Sequence, residues 1–197
     1  MSVRAWAIKP GELKELTRCG LVLLAARCAL RVEPCVLEWW PDAPKTVRSL
    51  WATSLDHLVR SAFTTTRHDI QRRLRALSNA GSLGRRRCEA RDETRATCVN
   101  YAFYTLAAAV ETGRFTERPL IVKSTIQAAK MSASIAAILA HAGRVPAPVN
   151  DDPVDHASRI AWGAIRADAA RLTATPDARS CPLWPDPAPA WWPGSRL

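Results

Sequence analysis

The chain has 197 residues, of which 48% are hydrophobic and 23% are charged. That length and composition are typical of a globular protein with one substantial core. Its 28 lysines and arginines outnumber its 18 acids and give a formal charge of +10. Such an excess favours an anionic partner (nucleic acid, anionic lipid or an acidic protein) and carries no information about the fold. The apolar stretch Cys19–Ala26 is too short for a membrane span, which needs roughly 20 residues.

The first ten residues lack the apolar segment and cleavage site of a secretory signal, so we expect a cytoplasmic protein. Six cysteines are present, but none forms a C-x-x-C pair, and no two histidines stand at metal-ligand spacing. In a reducing compartment such cysteines are mostly small buried side chains. The sequence therefore predicts neither a metal site nor a cofactor.

The sequence predicts helices throughout, because no stretch of useful length alternates between apolar and polar residues. The first helix is expected over Gly11–Val32, with an apolar middle that runs through the core. Pro34 is expected to kink or end it, and the loop Trp39–Pro44 to break it. The second helix is expected over Lys45–Phe63, entered through the last proline of that loop.

A short, basic third helix is expected over Arg67–Leu77, after a junction at Thr64–Thr66 and before a stop at Asn79–Gly81. The fourth helix, Asp92–Thr112, repeats apolar residues at steps of three and four, with acids at its start and Gly113 after it.

A fifth helix is expected over Pro119–Ala142. The sixth is expected to begin at the cap Asp152, with Pro153 in its first position, and to continue to Leu172. The alanines of the last three helices favour close helix–helix contact. The sequence thus predicts an all-α, single-domain bundle of about six helices over residues 1–175.

The last 22 residues, 176–197, have a different composition, with six prolines and the tryptophans Trp184, Trp191 and Trp192. Proline fixes φ and removes a backbone donor, so no helix continues here. Two interpretations stay open: an extended tail whose tryptophans cover apolar surface of the bundle, or a segment that binds a partner.

Arginine is concentrated in one third of the chain, with ten arginines and no lysine from Arg60 to Arg95. Arginine suits bidentate contacts with phosphate or carboxylate, which makes this region a candidate anion-binding patch. The candidate residues of this patch are Arg72, Arg73, Arg85, Arg86 and Arg87. The alternative is a solvated face paired with acids elsewhere, because no aromatic residue follows Phe63 among the arginines, and no nucleic-acid-binding motif accompanies them.

No catalytic constellation is evident. The four histidines are scattered, and Asp56–His57 and His68–Asp69 are neighbours that do not face each other on a helix. No serine stands in a G-x-S-x-G sequence. The segment Gly81–Arg85 lacks the spacing of a phosphate-binding loop and a strand before it. The sequence therefore favours a protein that is not an enzyme.

The segment Ala25–Trp51 resembles one family of bacterial immunity proteins that are found beside polymorphic toxins. An Ala/Cys-rich helix ends in Arg31-Val32-Glu33-Pro34, the Pro-Asp loop Trp40–Pro44 follows, and the next helix holds Trp51. The family loop is richer in Asp and Arg than Ala43–Thr46 is here. The arginine-rich third and the Trp/Pro tail lie outside the family pattern.

The resemblance implies a protein that covers the active site of a toxin, with a few buried anchors supplying most of the affinity. It points to Arg31, Glu33, Trp40 and Asp42 as candidate partner-binding residues, each of which could instead fix the loop. At +10 the partner is expected to be an acidic toxin domain. The leading hypothesis is therefore a cytoplasmic immunity protein, and the alternative is a basic helical module that binds nucleic acid through the Arg60–Arg95 region.

Overall fold

A computed structural model describes residues 6–62, 70–174 and 188–193 of the chain. These residues form six α-helices and one short 3-10 helix, and no β-strand occurs among them. The 3-10 helix is Pro10–Leu13, and the α-helices are α1 (Arg18–Trp39), α2 (Lys45–Ser61), α3 (Ile70–Glu89), α4 (Glu93–Arg114), α5 (Arg118–His141) and α6 (Pro153–Ala174). The predicted all-α bundle is confirmed. The expected junction at Thr64–Thr66, together with Arg67, His68, Cys181 and Trp184, lies outside the described residues.

Helix α1 differs from its prediction at both ends. It begins at Arg18 rather than Gly11, because the Thr17 side chain accepts a hydrogen bond from the Gly20 N–H at 3.1 Å and caps the helix there. It also continues through Pro34 to Trp39, so the expectation that this proline ends the helix is wrong. Proline removes one helical hydrogen bond, but the buried residues on both sides of it hold the helix in the core.

Helix α3 extends twelve residues beyond its predicted end at Leu77, to Glu89, so the stop expected at Asn79–Gly81 is wrong. Gly81 and Gly84 lie inside this helix, where they allow close packing and do not end it. A Cβ atom on Gly84 would lie 2.8 Å from both Trp40 Cζ3 and Val99 Cγ1. A Cβ on Gly81 would lie 2.9 Å from the side-chain oxygen of Asn100. The glycines therefore let α3 approach α4 at a distance that a side chain would prevent.

Helix α4 lies at the centre of the bundle, where it packs against α1, α2, α3 and α5. The apolar repeat predicted for it is buried, and Phe103 is fully enclosed. The Phe103 ring meets Trp51 edge-to-face at 5.2 Å and Trp40 at 6.4 Å, measured between ring centroids. Trp40 and Trp51 thus anchor the residue after α1 and the helix α2 on the central helix.

Two arginines bind the carbonyl groups that helix ends leave unpaired. Arg18 donates to Ser61 O at 3.0 Å and to Gly113 O at 3.1 Å, which joins the ends of α2 and α4. Arg118 donates to Leu16 O at 2.9 Å and so fixes the segment before α1 to the start of α5. All of these are charge-assisted bonds to backbone carbonyls that join separate segments of the chain, so these arginines support the fold.

Two of the later helices begin at a side-chain cap, of which the sequence predicted the one at Asp152. Asp92 accepts from the Arg95 N–H at 3.1 Å at the start of α4, and Asp152 accepts from the Val154 N–H at 3.0 Å at the start of α6. Gly143 ends α5 with a φ of +68°, a conformation that favours glycine. The described residues contain no helix that combines the length and the apolar character needed to cross a bilayer.

The described part of the tail, residues 188–193, lies against α1. Trp192 is 3% exposed, and its indole N–H donates to Arg31 O at 2.9 Å. Trp191 is half-buried and meets Trp192 edge-to-face at 5.7 Å between ring centroids. Both tryptophans therefore pack on the bundle, and the two interpretations of the whole tail stay open.

Candidate partner-binding surface

Arg31, the first residue that the resemblance selects, is 1% exposed. Its Nη2 lies 2.5 Å from Asp168 Oδ2, and Arg27 Nη2 lies 2.7 Å from the other carboxylate oxygen. All three side chains are buried, and they connect α1 to α6. Arg31 therefore stabilises the bundle, and the expectation that it contacts a partner is corrected.

Trp40 and Glu33 are also withdrawn from solvent, Trp40 almost completely and Glu33 in part. Trp40 is 2% exposed between Gly84 and Phe103, so it serves packing and cannot touch a partner directly. Glu33 is half-buried. Burial raises the pKa of the Glu33 carboxyl, and the nearby indole N–H of Trp51 offsets part of that rise. Both residues fix the path of the chain between α1 and α2.

Asp42 is the one fully exposed residue of the four that the resemblance selects. Its Oδ2 lies 3.8 Å from the Arg91 Nη2, at the corner between α3 and α4. Arg48 of α2 donates a hydrogen bond to Pro41 O on the other side of the loop. The Cys88 thiol donates to Trp39 O at 3.4 Å. The α1–α2 loop is therefore attached to the last turn of α3 and to the residues that come after it.

The predicted anion-binding patch divides into two groups. Arg85, Arg86 and Arg87 are exposed near the end of α3, whereas Arg72 and Arg73 lie near its beginning, about 20 Å away at 1.5 Å per residue. Arg85 lies 4.0 Å from Glu89. Within the described part of the chain, Arg86 and Arg87 make no ion pair or hydrogen bond.

The remaining arginines of the region are paired or lie elsewhere. Arg73 donates to Ser54 Oγ at 3.2 Å and to Thr53 Oγ1 at 3.3 Å, both on α2. Arg60 pairs with Asp56 at 2.8 Å, and Arg95 pairs with Asp92 at 3.3 Å. Some arginines of this region thus form salt bridges, whereas others are exposed and have no partner among the described residues.

The loop and the end of α3 form one surface, which we call the loop end and define as residues 37–44 together with 85–91. The contact of Gly84 with Trp40 and the hydrogen bond from Cys88 to Trp39 bring the two segments together. Leu37 is 55% exposed there, and Trp39 is half-buried. Neither residue was predicted from the sequence, because both lie beyond the predicted end of the first helix and the third helix was expected to end before Arg85.

The histidines His57 and His156 lie beside charged side chains. The Asp56 carboxylate pairs with Arg60 rather than with His57. Burial lowers the pKa of His57, and the nearby Arg73 lowers it further. His156 Nδ1 lies 3.4 Å from Asp151 Oδ2, which Arg159 also holds at 2.5 Å. In the described ranges, no group of three or more His, Cys, Asp or Glu side chains is placed to hold a metal ion.

The buried cysteines are expected to be unreactive. Cys28, Cys35 and Cys98 are 0% exposed, and burial raises the pKa of the Cys28 and Cys98 thiols to about 12. Since only the thiolate attacks an alkylating reagent, iodoacetamide at pH 8 should label the half-buried Cys19 well before these three. Peptide mass spectrometry over time measures this order. Labelling of Cys28 as fast as Cys19 would contradict the burial of α1 in the core.

Comparisons of the chain with protein-family models, with curated proteins and with solved structures find no match.

Proposed function

We propose that this chain is a cytoplasmic, non-enzymatic immunity protein that binds a cognate bacterial toxin through the loop end and neutralises it. One observation carries this proposal. Arg86 and Arg87 are exposed and make no ion pair with a described residue, and they lie in the last turns of α3, whose Gly84 and Cys88 contact the segment that resembles the immunity family. Exposed cations with no internal partner can form their charge-assisted bonds with another molecule.

The composition of the loop end supports protein binding. Arginine and tryptophan are enriched among the residues that supply most of the energy at protein interfaces. Arg86 and Arg87 extend from a helix whose backbone is held against Trp40 and Val99, and the neighbouring Trp39 carbonyl is bound by Cys88. A surface fixed in this way loses little conformational entropy on binding, which favours affinity.

The charge of the chain indicates the chemistry of the partner. At +10, the protein attracts an acidic surface and repels a basic one such as a nuclease. An acidic toxin domain would meet Arg86 and Arg87 with carboxylates, while Leu37 and Trp39 supply apolar contact area. Immunity would result from occlusion of the toxin's active site by this rigid end of the bundle.

Nucleic-acid binding is the second candidate, and one feature of α3 favours it. Arg72, Arg75 and Arg86 succeed each other at spacings of three and eleven residues, which places them on the same outward side of the helix. None of them makes an ion pair or hydrogen bond with a described residue. Nucleic-acid binding through this row would weaken steeply with salt, with a slope near one per phosphate contact.

The two candidates separate in a capture experiment from the native cell lysate, with and without nuclease. We expect the tagged wild-type chain to retain one stoichiometric protein in both arms. The double reversal Arg86→Glu/Arg87→Glu should weaken that complex about 100-fold or more, since it removes two favourable contacts and introduces repulsion.

The matched control is Lys123→Glu/Lys130→Glu, which reverses two exposed charges on α5, away from the loop end. It should bind the partner like the wild type, because only the overall charge has changed. Recovery of nucleic acid that disappears after nuclease treatment would contradict the immunity proposal. Equal weakening by both double variants would mean that the loop end is not the contact surface.

A further inference from the structure

A second cationic feature lies at the opposite end of α3. A cleft of about 850 Å³ opens where α3 begins, α4 ends and α5 begins. Its described lining includes Arg72, Arg75, Arg114, Phe115, Glu117 and Leu120. Arg72 is about 20 Å from Arg86 along α3, so the cleft is separate from the loop end.

Three arginines line this cleft, and no described acid forms an ion pair with any of them. None of the three arginines (Arg72, Arg75 and Arg114) makes an ion pair or hydrogen bond with a described residue. Arg114 lies over the Phe115 ring, with 5.5 Å between its Cζ and the ring centroid. Glu117 lines the same space, but its carboxylate is not paired with any of the three. Like charges gathered in one concavity repel each other, and a bound anion relieves that repulsion.

The walls of the cleft are held in place. Arg18 donates to Gly113 O at 3.1 Å and to Phe115 O at 3.4 Å, which fixes the backbone on both sides of Arg114. Ile70, 3% exposed, contributes an apolar part of the lining at the start of α3. These contacts therefore hold the backbone of Arg114 in place at the cleft that Arg72 and Arg75 also line.

We propose that this cleft binds a small ligand that carries phosphoryl groups, with Arg72, Arg75 and Arg114 as the contact residues. The guanidinium fork matches the oxygens of a phosphoryl group in a bidentate manner, and three such forks suit a diphosphate better than a single carboxylate. The volume falls within the range of sites that hold drug-sized molecules. Phe115 and Leu120 supply an apolar wall for the remainder of the ligand.

Calorimetric titration of the full chain at 150 mM salt with inorganic pyrophosphate and with ADP tests the proposal. Both probes should bind the wild type, and tighter binding of ADP would show that the apolar wall contributes. Each single change Arg72→Gln, Arg75→Gln or Arg114→Gln should weaken binding about tenfold, and the triple change should weaken it about 100-fold or more. The far-ultraviolet circular dichroism of each variant checks that it folds.

The matched control removes the same charge from the other end of α3. Arg85→Gln/Arg86→Gln/Arg87→Gln should leave the affinity for pyrophosphate within about threefold of the wild type. Glu117→Gln should tighten binding severalfold, because Glu117 makes no side-chain cap to α5 and its charge opposes the anion. Absence of binding at millimolar pyrophosphate would overturn the proposal, as would equal losses in both triple variants. A 20-base-pair DNA duplex provides the last comparison. If the duplex displaces the probe, and if both triple variants lose binding to the duplex, the arginines bind nucleic acid instead.

Discussion

Replacement of Asp168 with asparagine is expected to lower the free energy of unfolding by about 3–5 kcal/mol. The Asp168 carboxylate is 1% exposed and is the counter-ion of both Arg27 and Arg31, at 2.7 and 2.5 Å. Without it, two buried guanidinium groups face each other in a medium of low dielectric constant. Urea unfolding followed by circular dichroism at pH 7 measures the loss. A loss of that size is a large part of the 5–15 kcal/mol typical of a folded domain.

Two further variants show that the cause is the unpaired charge. Asp56→Asn removes the partner of Arg60 on the surface and should cost less than about 1 kcal/mol. Arg27→Met/Arg31→Met/Asp168→Leu replaces all three buried ionic groups with apolar ones and should recover most of the stability that the single variant loses. An Asp168→Asn protein whose free energy of unfolding stays within about 1 kcal/mol of the wild type would mean that this triad is not buried.

Gly84→Ala is expected to lower the free energy of unfolding by about 1–2 kcal/mol, although alanine is the better helix former. The new methyl group would lie 2.8 Å from Trp40 Cζ3 and from Val99 Cγ1, atoms of an enclosed ring and of a β-branched side chain that cannot move aside cheaply. The cost of this overpacking exceeds the gain of about 0.5–1 kcal/mol from removing a helical glycine. Because Trp40 belongs to the loop end, we also expect weaker partner binding.

Gly163 of α6 provides the matched control, because a Cβ atom there would meet nothing within 4 Å. Gly163→Ala should therefore raise the free energy of unfolding by about 0.5–1 kcal/mol through helix propensity alone. Thermal and urea unfolding of the two variants compares them directly. If Gly84→Ala were as stabilising as Gly163→Ala, the close approach of α3 to α4 would be incorrect.

The features that the sequence predicted well depend on short-range signals. The steps of three and four apolar residues in α4 and the cap Asp152 of α6 are each local to a single helix, so their effect does not require knowledge of the rest of the fold. Helix α2 (Lys45–Ser61) was also predicted from local signals. It begins directly after a proline, as expected, and it ends close to the predicted end. The all-α architecture results from this local information.

The features that it missed depend on tertiary contacts. Gly81 and Gly84 resemble a helix stop in isolation, and only the contact with α4 shows that they are packing positions. Arg31 and Asp168 are separated by 137 residues, so their pairing is not visible in a single sequence. One signal was available: Asp168 is the only charged residue on the apolar stripe of α6, between Ile165 and Leu172. A lone charge in such a stripe calls for a buried partner.

The candidate surface likewise has some features that the sequence predicted and others that depend on tertiary contacts. The arginine cluster was evident from composition, but its separation into the loop end and the cleft depends on the true length of α3 and on Arg114 from α4. Of the four residues that the resemblance selected, Arg31 and Trp40 are interior and hold the loop in place. Asp42 is exposed, and its carboxylate lies 3.8 Å from Arg91.

The most direct test of the central proposal is protection of living cells. The partner identified by capture is expressed in a bacterium from an inducible promoter, and growth is compared with and without this chain. We expect induction to arrest growth, the wild-type chain to restore it, and Arg86→Glu/Arg87→Glu to fail although it is made in equal amounts. A partner that does not arrest growth, or an arrest that the wild-type chain does not relieve, would contradict the immunity function.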